Sequence, residues 1–290
     1  MLTVQRSTPY NVNEVFRKCS YSEDGFTLRY RLYVPKNFDC GEKLPLLVFL
    51  HGAGERGDDN EKQLIHGLQD LFNDVESPVY DSVVFVPQCG EESQWVLTPW
   101  SEGNYSVDNV AESRELECVC AAMDALTDLY RIDEDRVYVT GLSMGGFGTW
   151  DMLARHGARF AAGMPVCGGG DPDYANLLKR IPIRVFHGSE DDAVPVSGSR
   201  AMFAAIREAG GEEIGYTEFD GAGHGIWGTV YSDPENIRWL YGQSRKERRL
   251  KAEKKAKLMK IAAAAGGGVA VAGVAALKII SAVKKKKKKK

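Results

Sequence analysis

The sequence predicts an α/β fold in which a mostly parallel central sheet carries helices on both faces. Three observations lead there. Short apolar runs alternate with helix-period stretches throughout residues 1–243, the order that crossover connections between parallel strands require. Several of those runs are apolar without alternation, as strands buried on both faces must be. Glycine-rich polar segments follow the runs at 51–60, 141–146, 167–173, 187–195 and 221–228, where the chain turns over the carboxyl edge of a sheet and ligands bind.

Taken in order, residues 26–34 (FTLRYRLYV) alternate with period two and predict an early antiparallel strand. Leu44–Leu50 (LPLLVFL) and 82–87 (SVVFVP) predict central strands. Residues 109–130 place Val110, Leu116, Val119, Met123 and Leu126 at helical spacing, and the strand 136–140 (RVYVT) follows. Strands are further expected at 160–166, 181–186 (IPIRVF) and Ile214–Phe219, with helices at 146–155 and 199–209 and a closing helix at 235–241. No internal repeat or linker interrupts residues 1–243, so they are expected to form one domain.

With 290 residues, 43% of them hydrophobic, the chain can bury a large core, and wholesale disorder is excluded. Its net charge of −3 hides an asymmetry: residues 244–290 hold 17 Lys/Arg and 2 Glu, leaving 20 basic and 38 acidic side chains in residues 1–243. A body of charge −18 repels nucleic acid, and none is expected as a partner. Residues 1–20 lack the apolar run of a secretory signal, so a cytoplasmic location is expected. The cysteines at 19, 40, 89, 118, 120 and 167 read as reduced, structural thiols, with no zinc-type C-x₂-C pair among them.

Gly141-Leu142-Ser143-Met144-Gly145 is a G-x-S-x-G pattern. It lies where its chemistry needs it, between the strand RVYVT and the helical stretch GGFGTWDMLAR, so that a sharp turn raises the serine hydroxyl above the sheet. Serine attacks poorly without a base, and the base needs an acid to orient it. Two later strand ends supply candidates: Glu190, Asp191 and Asp192 after IPIRVF, and His224 after IGYTEF. The order Ser143, acid, His224 is the one in which such a triad is threaded through an α/β sheet. One oxyanion donor is the amide after the nucleophile, that of Met144.

The segments LVFLHGAGERGDDN, VFVPQC, VYVTGLSMGGFGTWDMLARH, VFHGSEDDAVPVSGS and GAGHGIWGTVYSDPE resemble an α/β-hydrolase, over about residues 20–243. The resemblance is to the small esterases of the carboxylesterase, dienelactone-hydrolase and prolyl-oligopeptidase-like grouping. It implies the α/β-hydrolase fold, with the acid in G-x-x-D-x-x-V-P, here Gly188, Asp191, Val194 and Pro195. It also places a second oxyanion donor in the H-G-x-G turn His51-Gly52-Ala53-Gly54, at the Ala53 amide in preference to that of Gly52. His51 is read as a loop-organising hydrogen-bond residue, His187 as a strand-end structural residue, and His66 and His156 as helix-surface or packing residues.

The implied chemistry is cleavage of a small carboxylic ester, with a short acyl or an aryl (feruloyl-like) group, needing neither metal nor organic cofactor. Alternatives are a serine peptidase and an inactive hydrolase fold serving as a tethered binding protein. Gln88, Trp95, Trp100 and Trp227 fall in loops near strand ends and are candidate pocket residues. Only 14 residues separate Val166 from Ile181, too few for a helical cap domain, so an open site is expected.

Beyond the domain, residues 244–260 read as a basic helical linker, 261–283 as an apolar segment and 284–290 as a run of lysines. The apolar segment is a candidate membrane anchor, with a small-residue stripe at Ala264, Gly268, Ala272 and Ala276, though Lys278 leaves 17 uninterrupted positions. A basic tail lying on anionic lipid and a solvated tail are the competing expectations.

Overall fold

In a computed structural model of the chain, the described residues are 8–36 and 41–264. Among them, β1 (Arg17–Glu23), β2 (Phe26–Tyr33), β3 (Leu44–Leu50), β4 (Val83–Gln88), β5 (Ile132–Leu142), β6 (Ala162–Val166), β7 (Ile183–Gly188) and β8 (Ile214–Phe219) form one sheet. Their order is β1-β2-β4-β3-β5-β6-β7-β8. The β1–β2 and β2–β4 pairs are antiparallel and every other pair is parallel. This is the α/β-hydrolase fold.

Helices cover both faces: α1 (Val12–Val15), α2 (Leu68–Leu71), α3 (Arg114–Tyr130), α4 (Met144–His156), α5 (Ala175–Leu178), α6 (Val196–Glu208), α7 (Trp227–Ser232) and α8 (Pro234–Tyr241). Alternate residues of each strand point to opposite faces. Leu46, Val48 and Leu50 of β3 therefore pack with α3 and α6 residues such as Leu116, Met123 and Met202. Leu47 and Phe49 of the same strand pack with Leu68, Val230, Tyr231 and Leu240 on the other face. This double burial is why β3 and β4 read as unbroken apolar runs.

The strand β1 has no counterpart among the expected elements. Its residues RKCSYSE are exposed or half-exposed throughout, so no apolar pattern marks them. It forms because Asp24 and Gly25 both take positive φ (49° and 77°) and close a two-residue hairpin onto β2. The expected helix 109–130 starts later, at Arg114, where the Ser113 side chain caps it by accepting from the Leu116 N–H at 3.2 Å. The β6–β7 connection holds one 3₁₀ turn and the four-residue α5, with no cap domain.

The described residues up to Ser244 form one compact unit, and those from Arg245 belong to a second. Within the second, Arg245–Ala264 is helical (α9). Among the described residues no helix is long and apolar enough to cross a membrane. Most of the candidate anchor (265–283), the lysine run 284–290 and Cys40 lie outside the described residues.

Candidate active site

Ser143 sits at the junction of β5 and α4 with φ 55° and ψ −120°, a backbone conformation that L-residues seldom adopt. The surroundings hold it there: its N–H donates to the Val166 carbonyl at 2.9 Å, and its own carbonyl accepts from the Gly146 N–H at 2.8 Å. The flanking glycines are sterically required. A Cβ on Gly141 would stand 2.6 Å from the Leu50 carbonyl oxygen, and one on Gly145 would collide with the same group.

His224, in the loop after β8, places Nε2 2.8 Å from Ser143 Oγ and Nδ1 2.7 Å from Asp191 Oδ2. A carboxylate only accepts here, so Nδ1 carries the proton and Nε2 is free to take one from the serine hydroxyl. Asp191, after β7, has a fully buried side chain. Burial opposes its charge, yet hydrogen bonds from His187, His224 and the Val194 N–H outweigh that and hold the carboxyl well below the usual carboxylate range. Glu190 and Asp192, which residue chemistry alone leaves open as acids, are both exposed.

The turn after β3 lies against Ser143: a Cβ on Gly52 would stand 3.5 Å from the serine Cβ. The Gly52 N–H donates to Glu55 Oε2 at 2.8 Å, while neither the Ala53 nor the Met144 N–H meets a protein acceptor among the described residues. His51 is fully buried, and burial lowers its ring to about 4 despite a hydrogen bond to the Gly52 carbonyl that raises it. The ring is therefore neutral. Its Nε2 accepts from the Cys89 N–H at 2.9 Å, so Nδ1 carries the proton and donates to the Gly52 carbonyl at 2.7 Å. His51 thus ties the β3 turn to the end of β4.

The four pocket candidates separate. Trp227 stands at the site, its ring centroid 5.4 Å from that of His224 and nearly perpendicular to it. Trp100, half-buried, packs on a cluster containing Phe147 of α4 and Val194 of the acid loop. It also lines a surface cleft of about 420 Å³ with Gln94, Leu97, Thr98, Pro99 and Ser101. Trp95 and Gln88, by contrast, are buried structural residues. Trp95 is 0% exposed, donates Nε1–H to the His51 carbonyl and packs into the space left by Gly148. Gln88 accepts from the Asn60 N–H and donates to the Glu55 carbonyl and Asp59. Gln88 is the last residue of β4 and not part of the expected loop, Trp95 lies in the segment after it, and both side chains turn inward.

Three neighbours of the site escape sequence reasoning. Glu55 anchors the β3 turn, and its second oxygen faces His66 Nε2 at 3.6 Å. His66, itself exposed, stands against Trp227 with ring centroids 5.6 Å apart and so borders the site. Cys167 directly follows β6 with φ 48°, and its thiol donates to the His224 carbonyl at 3.3 Å. Burial, reinforced by the nearby Asp191 charge, pushes that thiol up, so it stays protonated.

Comparison with known proteins places this site in company. Residues 106–175, which include the serine turn, match the prolyl oligopeptidase family. A solved thermostable esterase is 36% identical over 81% of this chain and 64% of its own, with a TM-score of 0.73. A bifunctional acetylxylan esterase/xylanase from Neocallimastix patriciarum is 28% identical over 59% of this chain. A solved ferulic acid esterase, 17% identical over 78% of this chain and 97% of its own, shares the fold with a TM-score of 0.60. The chain spans about a quarter of the length of the curated relatives it matches, 24% and 22%. Its sheet and serine turn give the chain the α/β-hydrolase fold, and its likenesses are to esterases and, over residues 106–175, to the prolyl oligopeptidase family.

Proposed function

We propose that the chain is a serine hydrolase that cleaves carboxylic esters of short acyl or aryl acids through an acyl-enzyme. The observation that carries this reading is the continuous line from Ser143 Oγ to His224 Nε2 (2.8 Å) and from His224 Nδ1 to Asp191 Oδ2 (2.7 Å). His224 takes the serine proton as Ser143 attacks the ester carbonyl, and Asp191 stabilises the imidazolium that forms. The Ala53 and Met144 amides receive the negative charge that develops on the carbonyl oxygen. His224 returns its proton to the departing alkoxide, and the same base then activates the water that releases the acid.

Ester rather than amide substrates are favoured by the 36% identity to a solved esterase and by the acetylxylan esterase among the relatives. The short β6–β7 connection, which builds no cap, suits small or extended substrates. A serine peptidase is the second reading, favoured by the match to the prolyl oligopeptidase family. Fluorophosphonate labelling of wild type and Ser143→Ala, with p-nitrophenyl esters and chromogenic peptides assayed side by side, tests both. Labelling confined to wild type and faster turnover of esters is expected. Labelling that survives the substitution would remove Ser143 from its role, and faster turnover of peptides would replace the esterase reading with the second one.

A further inference from the structure

On the face of the sheet that carries α3 and α4, three side chains with metal-binding donors converge away from the serine. Glu112 lies in the loop before α3, Cys120 within α3 and His156 at the last position of α4. One ligand atom from each lies within 4.8 Å of the other two, and His156 Nε2 is 2.7 Å from Glu112 Oε1. They are mixed donors, a thiol, an imidazole and a carboxylate, from three separate stretches of chain.

The scaffold around them is fixed independently of the trio. Glu112 is held by an antiparallel bridge to Val96, and the adjacent Ser113 caps α3 while donating to the Trp95 carbonyl at 2.7 Å. Two neighbouring guanidinium groups are engaged by other carboxylates: Arg155 pairs with Asp151 at 2.8 Å, and Arg159 pairs with Asp124 while reaching the Cys120 carbonyl. The Glu112 carboxylate bonds His156, with the Arg155 charge nearby. Cys120 is buried at 8% exposure, whereas the side chains of Glu112 and His156 are 19% and 28% exposed, so a cation can enter from the rim.

We infer that Glu112, Cys120 and His156 form a binding site for a borderline-soft divalent cation, Zn²⁺ by preference, with water completing the coordination. Thiolate and imidazole select against hard cations such as Mg²⁺ and Ca²⁺. Tetrahedral zinc at normal bond lengths sets ligand atoms about 3.4–3.6 Å apart. The His156–Glu112 contact therefore opens by less than about 1 Å and no other separation has to close by more than about 1.4 Å, within the reach of side-chain rotation. Binding expels to solvent both the Cys120 thiol proton and the proton that His156 Nε2 donates to Glu112, and the metal joins α3 to the end of α4 as a staple remote from the chemistry.

The test uses the full-length chain with Zn²⁺ alone as probe, read by titration calorimetry and by thermal unfolding in Zn²⁺ or chelator. A second group, Cys167, Asp191 and His224, also brings ligand atoms within 4.8 Å and is the competitor. The inference expects one Zn²⁺ per chain, a higher unfolding temperature with Zn²⁺, and binding weakened more than about tenfold in Cys120→Ser and in His156→Gln. Ester turnover in those two variants should stay near wild type, and Cys167→Ala should bind as wild type does. His156→Gln guards against misfolding, because a glutamine at this partly exposed position can still hydrogen-bond Glu112. Failure of wild type to bind, binding retained in both variants, or binding abolished by Cys167→Ala would overturn the assignment.

Discussion

His187 Nε2 lies 3.0 Å from Asp191 Oδ2, the same oxygen that receives His224 Nδ1, and neither the His187 nor the Asp191 side chain reaches solvent. The same nitrogen is 3.0 Å from the Val194 carbonyl. Both neighbours are acceptors, so this nitrogen carries a proton and donates into the acid loop. On its other side, Nδ1 meets Ser199 Oγ at 2.8 Å, and Ser199 donates to the Gly168 carbonyl at 3.0 Å. Asp191 is thus fixed from behind by a buried histidine joined to α6 and to the chain after β6.

Replacing that histidine should loosen the acid without removing it. His187→Gln is expected to lower kcat roughly tenfold with little change in KM, and to cost about 1–3 kcal/mol of stability for the buried partners it strands. Steady-state kinetics and urea unfolding read the two effects separately. An unchanged kcat in a destabilised variant would reduce His187 to packing alone.

Removing the charge of the acid itself should be far more severe. Asp191→Asn keeps the shape but offers His224 an amide, which favours the wrong tautomer, and kcat should fall by about 10³–10⁴-fold. A loss under tenfold, measured on a p-nitrophenyl ester, would mean that another carboxylate orients His224.

The buried carboxylate of Glu55 holds the β3 turn through the Gly52 N–H at 2.8 Å. Glu55→Ala should shift the Ala53 donor and lower kcat, by less than the roughly 10²–10³-fold lost when an oxyanion donor is deleted outright. Glu55→Gln retains an acceptor and should recover most of that activity. Equal defects in the two variants would show that charge, and not the anchoring bond, is what matters.

The neutral, buried His51 ring predicts a pH dependence of stability. Its ring titrates at about 4 in the folded chain against 6.5 when unconstrained, so as pH falls through that window the unfolded state takes up the proton first. The stability present above about pH 6.5 should be lost progressively toward pH 4, by about 3 kcal/mol. Urea unfolding of wild type and His51→Gln at several pH values checks this: the variant should lack that loss, and parallel curves would contradict it.

How far these features could be read from sequence depends on how local their causes are. The strands β3 and β8 fall on the expected residues because burial imprints a run or a boundary on contiguous positions. The serine turn is legible for the same reason, since its glycines answer to backbone atoms a few residues away and to one adjacent strand. Strand β1 is held by a hairpin turn and carries no apolar imprint; Asp24-Gly25 is the pair of residues that could have revealed it. Trp95 reads as a pocket residue because its segment is a loop, but the missing side chain at Gly148, 53 positions later, creates the space it fills. Glu55 answers to Gly52 only three positions away, a local bond that apolar periodicity does not register, whereas His66 and the Glu112–Cys120–His156 trio depend on distant matches.

The unusual torsions at Ser143 carry an implication for how this chain could evolve or be engineered. They are close to the mirror image of an ordinary extended conformation, one that glycine occupies without penalty. Ser143→Gly should therefore relieve the turn and leave a sturdier but inert protein. Selection for heat resistance alone would drift toward discarding the hydroxyl, and only a demand for turnover keeps it in place.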